Sequence, residues 1–271
     1  MSRLFSLCGL IVGLAMVPGH AFAEEWKDRA EVRLIDGGVL ADGVTRLAGI
    51  EIVLDPEWKT YWRNPGDSGI PPRMDFSASG NVAEVGVEWP APELHYDGYG
   101  WVIGYSDAVI FPLLVTPEDS AAPTRLKVKL DYAVCKDICI PAEAEAEIDL
   151  DGKTSRAAAI EFFRARVPDR LEAATGKAGV VSHTVTVEGD EPVLELHVGF
   201  SGDAEDAFAV VEGPEGWYLP VPERTGSDEA GNAVFQVPLD GVEDPATISG
   251  AELRITGVSP LFSFEQQITL D

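Results

Sequence analysis

Cys135 and Cys139 stand four positions apart in "DYAVCKDICIP", and they are the two cysteines of the chain outside its apolar N-terminus. Two thiols so close can exchange with a partner's disulfide, bind a soft metal ion, or join to each other. A bridge between them would close a very short ring. The chain entropy that a cross-link removes from the unfolded state grows with loop length, so the stabilisation is only about 2 kcal/mol. The pair therefore reads as chemistry before it reads as a staple. Thiol exchange requires a thiolate that a partner's sulfur can reach. Lys136, next to Cys135, favours the thiolate and Asp137 opposes it.

Other residue types offer less. Gly66-Asp67-Ser68-Gly69 looks like the nucleophile segment of a trypsin-like protease, but in that chain order the histidine base precedes the serine. The histidine that does so here is His20, inside the apolar N-terminus, so the stretch reads as a Pro/Gly-rich turn with Asp67 bonded to nearby backbone amides. His95, His183 and His197 are scattered, and two cysteines supply half of a zinc site. Two thiolates would suffice for Cu(I). The aromatics are concentrated: five of six tryptophans and five of six tyrosines precede residue 135. Tyr96, Tyr99 and Trp101 crowd into the glycine-rich "HYDGYGW", which suits a loop covering a reactive disulfide.

The elements that must position these residues are strands. "RLKVKLDYAV" alternates Leu126, Val128, Leu130, Tyr132 and Val134 with charged residues, and "AEAEAEIDL" puts Ala142, Ala144, Ala146, Ile148 and Leu150 in phase. The cysteines lie at the connection, which Pro141 helps to end, and their odd phase is the polar one, so both are expected to be accessible. "EVRLI", "GIEIVL", "VAEVGVEW" and "AVIFPLLV" are further strands of the first half. "KTSRAAAIEFFRARVPDRLEAATG" is the one strongly helical stretch, with Thr154 or Ser155 as N-cap and Gly176 as stop. Alternation then resumes through "VSHTVTVEG", "VLELHVGF", "AFAVVEG", "AVFQVPL", "AELRITGV" and "FSFEQQITL". The expected fold is all-β, two immunoglobulin-like sandwiches joined by a short helical segment, with boundaries at 24–152, 153–177 and 178–271.

Residues 1–23 read as a secretory signal peptide: Arg3, an apolar run from Leu4 to Val17, and Ala21-Phe22-Ala23 as a small-x-small cleavage site. No later stretch approaches the roughly 20 apolar residues of a membrane span. Removing the leader takes one positive charge, Arg3, from a net charge of −26 and leaves −27. Such a field repels nucleic acid and anionic lipid. An oxidising compartment permits a disulfide.

The segments "EWKTYWRNPGDSGIPP", "YDGYGWVIGYSDAVIFPLLV" and "LKVKLDYAVCKDICIPAEAE" together resemble the N-terminal periplasmic domain of the thiol:disulfide interchange reductase DsbD, in particular its suppressor-of-copper-sensitivity branch. The likeness covers about residues 28–150, and "VEGPEGWYLPVP" and "AELRITGV" resemble the additional sandwich of that branch. The resemblance implies an immunoglobulin-like fold with a redox-active cysteine pair, working as a thiol–disulfide oxidoreductase without a cofactor. It implies a thioredoxin-like donor or membrane electron conduit as one partner, and periplasmic disulfide-containing clients as the others. Cys139 matches the cysteine that forms the mixed disulfide with the donor, Cys135 its intramolecular partner, and Tyr99-Gly100 the end of an aromatic cap loop. This chain has a shorter intercysteine loop than the best-known members, and Gly98 stands where their capping phenylalanine falls, leaving Tyr96, Tyr99 or Trp101 to cap. It also ends without a transmembrane conduit or a thioredoxin domain, so a separate reductant is expected. Two alternatives use the same residues: a Cu(I)-binding or copper-tolerance protein holding the ion with Cys135 and Cys139, and a non-redox assembly module with a structural disulfide.

Overall fold

The computed structural model describes residues 29–151, 156–176, 178–188, 191–201 and 204–271. The leader sequence at 1–23, Thr154 and Ser155 lie outside the described residues. Ten strands come first: β1 (Ala30–Val39), β2 (Arg46–Leu54), β3 (Lys59–Gly66), β4 (Arg73–Asp75), β5 (Glu84–Val87), β6 (Glu93–Tyr96), β7 (Trp101–Ser106), β8 (Ala108–Thr116), β9 (Arg125–Cys135) and β10 (Cys139–Asp149). Helix α1 (Ala157–Arg164) follows, then β11 (Asp169–Leu171), β12 (Gly179–Glu188), β13 (Glu191–Gly199), β14 (Phe208–Glu212), β15 (Glu223–Ser227), β16 (Ala233–Pro238), β17 (Glu252–Val258) and β18 (Ser263–Thr269).

These strands make an all-β, immunoglobulin-like architecture of four sheets. Sheet β1-β2-β8-β5 faces sheet β10-β9-β3-β7-β6, onto whose β9 the short β4 also pairs. Their inner faces meet through Ile50, Ile52 and Phe111 on one side and Trp62, Ile103, Leu126 and Leu130 on the other, all fully buried. Sheet β11-β18-β17-β14 faces sheet β12-β13-β16-β15 over a second core that includes Leu196, Phe235, Ile255 and Phe264. Burial of these side chains is the main driving force for both layers.

The β9–β10 hairpin follows the alternation of its sequence. Leu126, Val128, Leu130, Tyr132 and Val134 point into the core. On the opposite face Arg125 pairs with Asp149 and Lys127 with Glu147, each directly across the ladder, so opposite charges reinforce the register. Pro141 does not end β10. It pairs opposite Ala133 within the ladder, which is tolerated because β10 is an edge strand and a missing N–H there costs no bond on the open side.

The helical segment is shorter than its sequence suggests. Helix α1 stops at Arg164, four residues before Pro168, and the downstream half instead forms β11, parallel to β18. Proline lacks the N–H and crowds the preceding turn, so the helix cannot run on to Gly176. Ile160 of α1 is buried against Ile35, Leu47 and Ile110, which seats the helix on the outer face of the β1-β2-β8 sheet. No helix of the described residues is long and apolar enough to cross a membrane.

Candidate functional site

Cys135 ends β9 and Cys139 begins β10, and the two are directly opposed in the ladder with Cα atoms 4.2 Å apart. The sheet register thus brings the sulfurs together, and they form a disulfide. Lys136, Asp137 and Ile138 make the exposed turn between them. In this oxidised form each sulfur is bonded to the other and neither is a thiolate that could hold Cu(I).

The two cysteines are not equivalent. Cys139 is exposed, whereas Cys135 is 8% exposed and packs with Tyr61, Val102 and Ala133. The polar phase of β9 is not a solvent phase at this end. Neighbouring β3 and β7 place Tyr61 and Val102 over that face, so the expectation that both sulfurs are accessible holds for Cys139 and fails for Cys135.

Tyr61, which nothing in the local sequence singles out, also belongs to the site. Its hydroxyl lies 2.9 Å from Cys139 Sγ, while its ring is buried. A disulfide sulfur carries no hydrogen, so the phenol is the donor. Burial pushes the Tyr61 phenol above its ordinary value and the negative charge of Asp97 adds to this, which keeps the proton in place at neutral pH. Over the ring lies the backbone of Gly69, with φ of 143°; a Cβ at that position would fall inside contact distance of the ring. Only glycine fits there, because the backbone angle and the close approach both exclude a side chain. A paired aromatic at one position of "TYWRN" carries no local mark of a contact that spans 78 residues.

The remaining expected site residues lie on the β6–β7 hairpin. Tyr96 and Trp101 are strand residues that pair across the ladder, with their rings edge to face at 5.3 Å, and only Asp97–Gly100 forms the turn. Tyr99, at the tip, is 94% exposed and in this conformation shields nothing. The turn is built by Asp97, whose carboxylate accepts from the amides of Tyr99 and Gly100. Asp67 does not bond to nearby amides as the turn reading expected. It accepts from Trp101 N at 2.8 Å and from Val221 N at 3.0 Å, tying its loop to the β6–β7 hairpin and to the second pair of sheets. Lys136 is spent on Glu57 at 2.6 Å, which raises its pKa, so its charge is committed to a carboxylate and not reserved for Cys135.

Strand β3 also reaches the other way. Arg63 lies over the Trp62 ring, its guanidinium 4.1 Å from the centroid. It bonds both oxygens of Glu212 through Nε and also contacts Glu265 at 2.6 Å, with its side chain only 16% exposed. Burial opposes its charge, but the carboxylates of Glu212 and Glu265 hold the guanidinium above its ordinary value. Tyr61, Trp62 and Arg63 in succession therefore serve the disulfide, the core and the second pair of sheets. Beside them, the 63–71 segment and the 211–220 and 238–241 segments enclose an open cleft of about 900 Å³.

Residues 36–150 match the family model described as thiol:disulfide interchange protein DsbD, N-terminal. No curated protein matches the chain. Among solved structures, the N-terminal periplasmic domain of ScsB from Proteus mirabilis is similar at 22% identity with a TM-score of 0.70, over 90% of this chain and 94% of that one. The chain thus resembles the N-terminal domain of DsbD in sequence over residues 36–150, and shares the fold of the suppressor-of-copper-sensitivity branch over most of its length.

Proposed function

We propose that the protein is a periplasmic thiol–disulfide interchange module that takes reducing equivalents from a thioredoxin-like donor and passes them to client disulfides. The observation that carries this reading is the asymmetry of the pair: an exposed Cys139 sulfur, hydrogen-bonded by Tyr61, joined to a buried Cys135. The DsbD-type match and the leader-type sequence at residues 1–23 support the assignment of activity and compartment.

The cycle follows from access. A donor thiolate attacks Cys139 Sγ in line with the S–S bond; that bond breaks and its electron pair leaves on Cys135 as a thiolate. The donor's second thiolate then attacks the donor sulfur of the mixed disulfide, releasing Cys139 as a thiolate and leaving the donor oxidised. The Tyr61 O–H stabilises this thiolate by a charge-assisted bond. Cys139 next attacks a client disulfide and expels one client thiolate. Cys135 attacks Cys139 Sγ, expels the second, and restores the internal disulfide, so the client gains two electrons and the module loses two. Residues 24–152 carry this chemistry in our reading, and 178–271 support it. Tyr96 and Trp101 flank the turn of the neighbouring hairpin on the face opposite Val102, so they do not cover the sulfurs, while Tyr99 at the tip is free to meet a partner.

Single-cysteine variants test the assignment. Cys135→Ser, with Cys139 first activated as a mixed disulfide with an aromatic thiol reagent, exchanges with a thioredoxin-fold protein that lacks its own second cysteine; the aromatic thiol leaves, nothing resolves the new mixed disulfide, and the complex accumulates on non-reducing gels. Cys139→Ser traps far less. Equal trapping by both removes the roles given to the two sulfurs. Trapping by neither, with tight Cu(I) binding by the reduced wild type, transfers the site to copper.

A further inference from the structure

We infer that the cleft between the two pairs of sheets is a docking groove for an extended, basic polypeptide segment of the exchange partner, an inference that rests on the interchange reading above. One wall is the 63–71 segment, whose Gly69 backbone lies on the ring of Tyr61, the residue bonded to Cys139. The other wall is Trp217 to Pro220 with Asp240 and Gly241. A chain lying in the cleft is thus separated from the exposed sulfur by one backbone strand and one ring. At about 900 Å³ the cleft is at the upper end of the range for small-ligand sites, and it is open, which suits a chain passing through.

The charges and rings choose the occupant. The cation in the lining, Arg63, is consumed by Glu212, Glu265 and the Trp62 ring, so no unspent cation faces an anion. Asp67 is likewise consumed by two amides. Asp240 is exposed, and its carboxylate forms no ion pair among the described residues. Tyr218, 81% exposed, offers a free aromatic face to the same space. A carboxylate and a phenol ring together suit a lysine or arginine, which gains ion pairing from one and cation–π attraction from the other. The net charge of −26 steers such a segment inward.

Binding is measured without sulfur chemistry, by fluorescence anisotropy of a labelled, cysteine-free Lys/Ser peptide at low salt, with a Glu/Ser peptide of equal length as comparison. We expect the basic peptide to bind and the acidic one not to. Asp240→Lys should weaken binding about tenfold and Tyr218→Ala about threefold. The Cys135→Ser, Cys139→Ser protein should bind like wild type. Glu229→Lys, at the opposite end of β16, controls for the overall field and should change affinity far less. Equal weakening by Glu229→Lys and Asp240→Lys, or equal binding of both peptides, or none of either, overturns the groove. Reduction of glutathione disulfide by the dithiol form is scored separately, so failure of the groove and failure of the redox reading are told apart.

Discussion

The hydroxyl of Tyr61 and the sulfur of Cys139 stand 2.9 Å apart, although 78 residues separate them in the chain. This one bond distinguishes the two sulfurs chemically, because it donates to the accessible one. Tyr61→Phe should keep the ring packing and lose only the donor. In the reduced protein, alkylation of Cys139 by iodoacetamide at neutral pH should slow by about tenfold, since a hydrogen bond to a charged group is worth about 1.5–3 kcal/mol and water replaces part of it. Unchanged rates across pH would remove Tyr61 from the chemistry.

Gly69 tests the same contact from above. Gly69→Ala drives a methyl group into the Tyr61 ring at a backbone angle that alanine rarely adopts. Destabilisation of about 1–3 kcal/mol is expected in chemical denaturation, together with altered alkylation of Cys139. A fully neutral substitution would mean that the segment lifts freely off the ring.

Loss of the disulfide should be mild. The ring it closes is short, and the cores on both sides of it do not depend on the sulfurs. The Cys135→Ser, Cys139→Ser protein should still unfold cooperatively and lose about 2 kcal/mol. Failure of that variant to fold would favour a structural bridge.

Arg63 should matter more to stability than either cysteine. Arg63→Ala removes the cation from Glu212 and leaves Glu265 with only the longer contact to Arg254 at 3.6 Å, both carboxylates being less than a quarter exposed. Breaking a partly buried ion pair from one side costs about 3 kcal/mol or more. Arg63→Lys keeps the charge, loses the two-pronged geometry, and should fall between the two. Urea denaturation followed by tryptophan fluorescence ranks the three proteins; a wild-type midpoint for Arg63→Ala would show that the clamp contributes nothing.

His197 gives the fold a pH dependence. Its imidazole is held between Asp228 at 2.9 Å and Glu195 at 3.1 Å, and these two carboxylates, Asp228 first, raise its pKa above the ordinary histidine value of 6.5. A group whose folded pKa is raised stabilises fully below the unfolded value and loses that contribution as pH rises through the folded one. Thermal stability should therefore decline on the alkaline side of 6.5, and His197→Gln should flatten this slope. An identical slope in the variant would assign the effect elsewhere.

The strand periods, the all-β class and the cysteine pair could all be read from the sequence, because each is a local pattern. Alternation along β9 and β10 marks their buried faces within ten residues, and the interval between Cys135 and Cys139 carries its own geometric meaning. Strands β3 and β7 were not legible: "KTYWRNPG" has no clean alternation, and "WVIGYS" is masked by the glycines around it. Those two strands supply Tyr61 and Val102, which bury Cys135 and leave Cys139 outside. The jobs of Arg63 and Asp67 were hidden for the same reason, since their partners lie between 34 and 202 residues away in sequence. Side-chain type and spacing determine what a residue can do within its own strand. Which distant strand comes to lie beside it, and so which sulfur is exposed, which charge is spent and where a cleft opens, is decided only when the sheets pack.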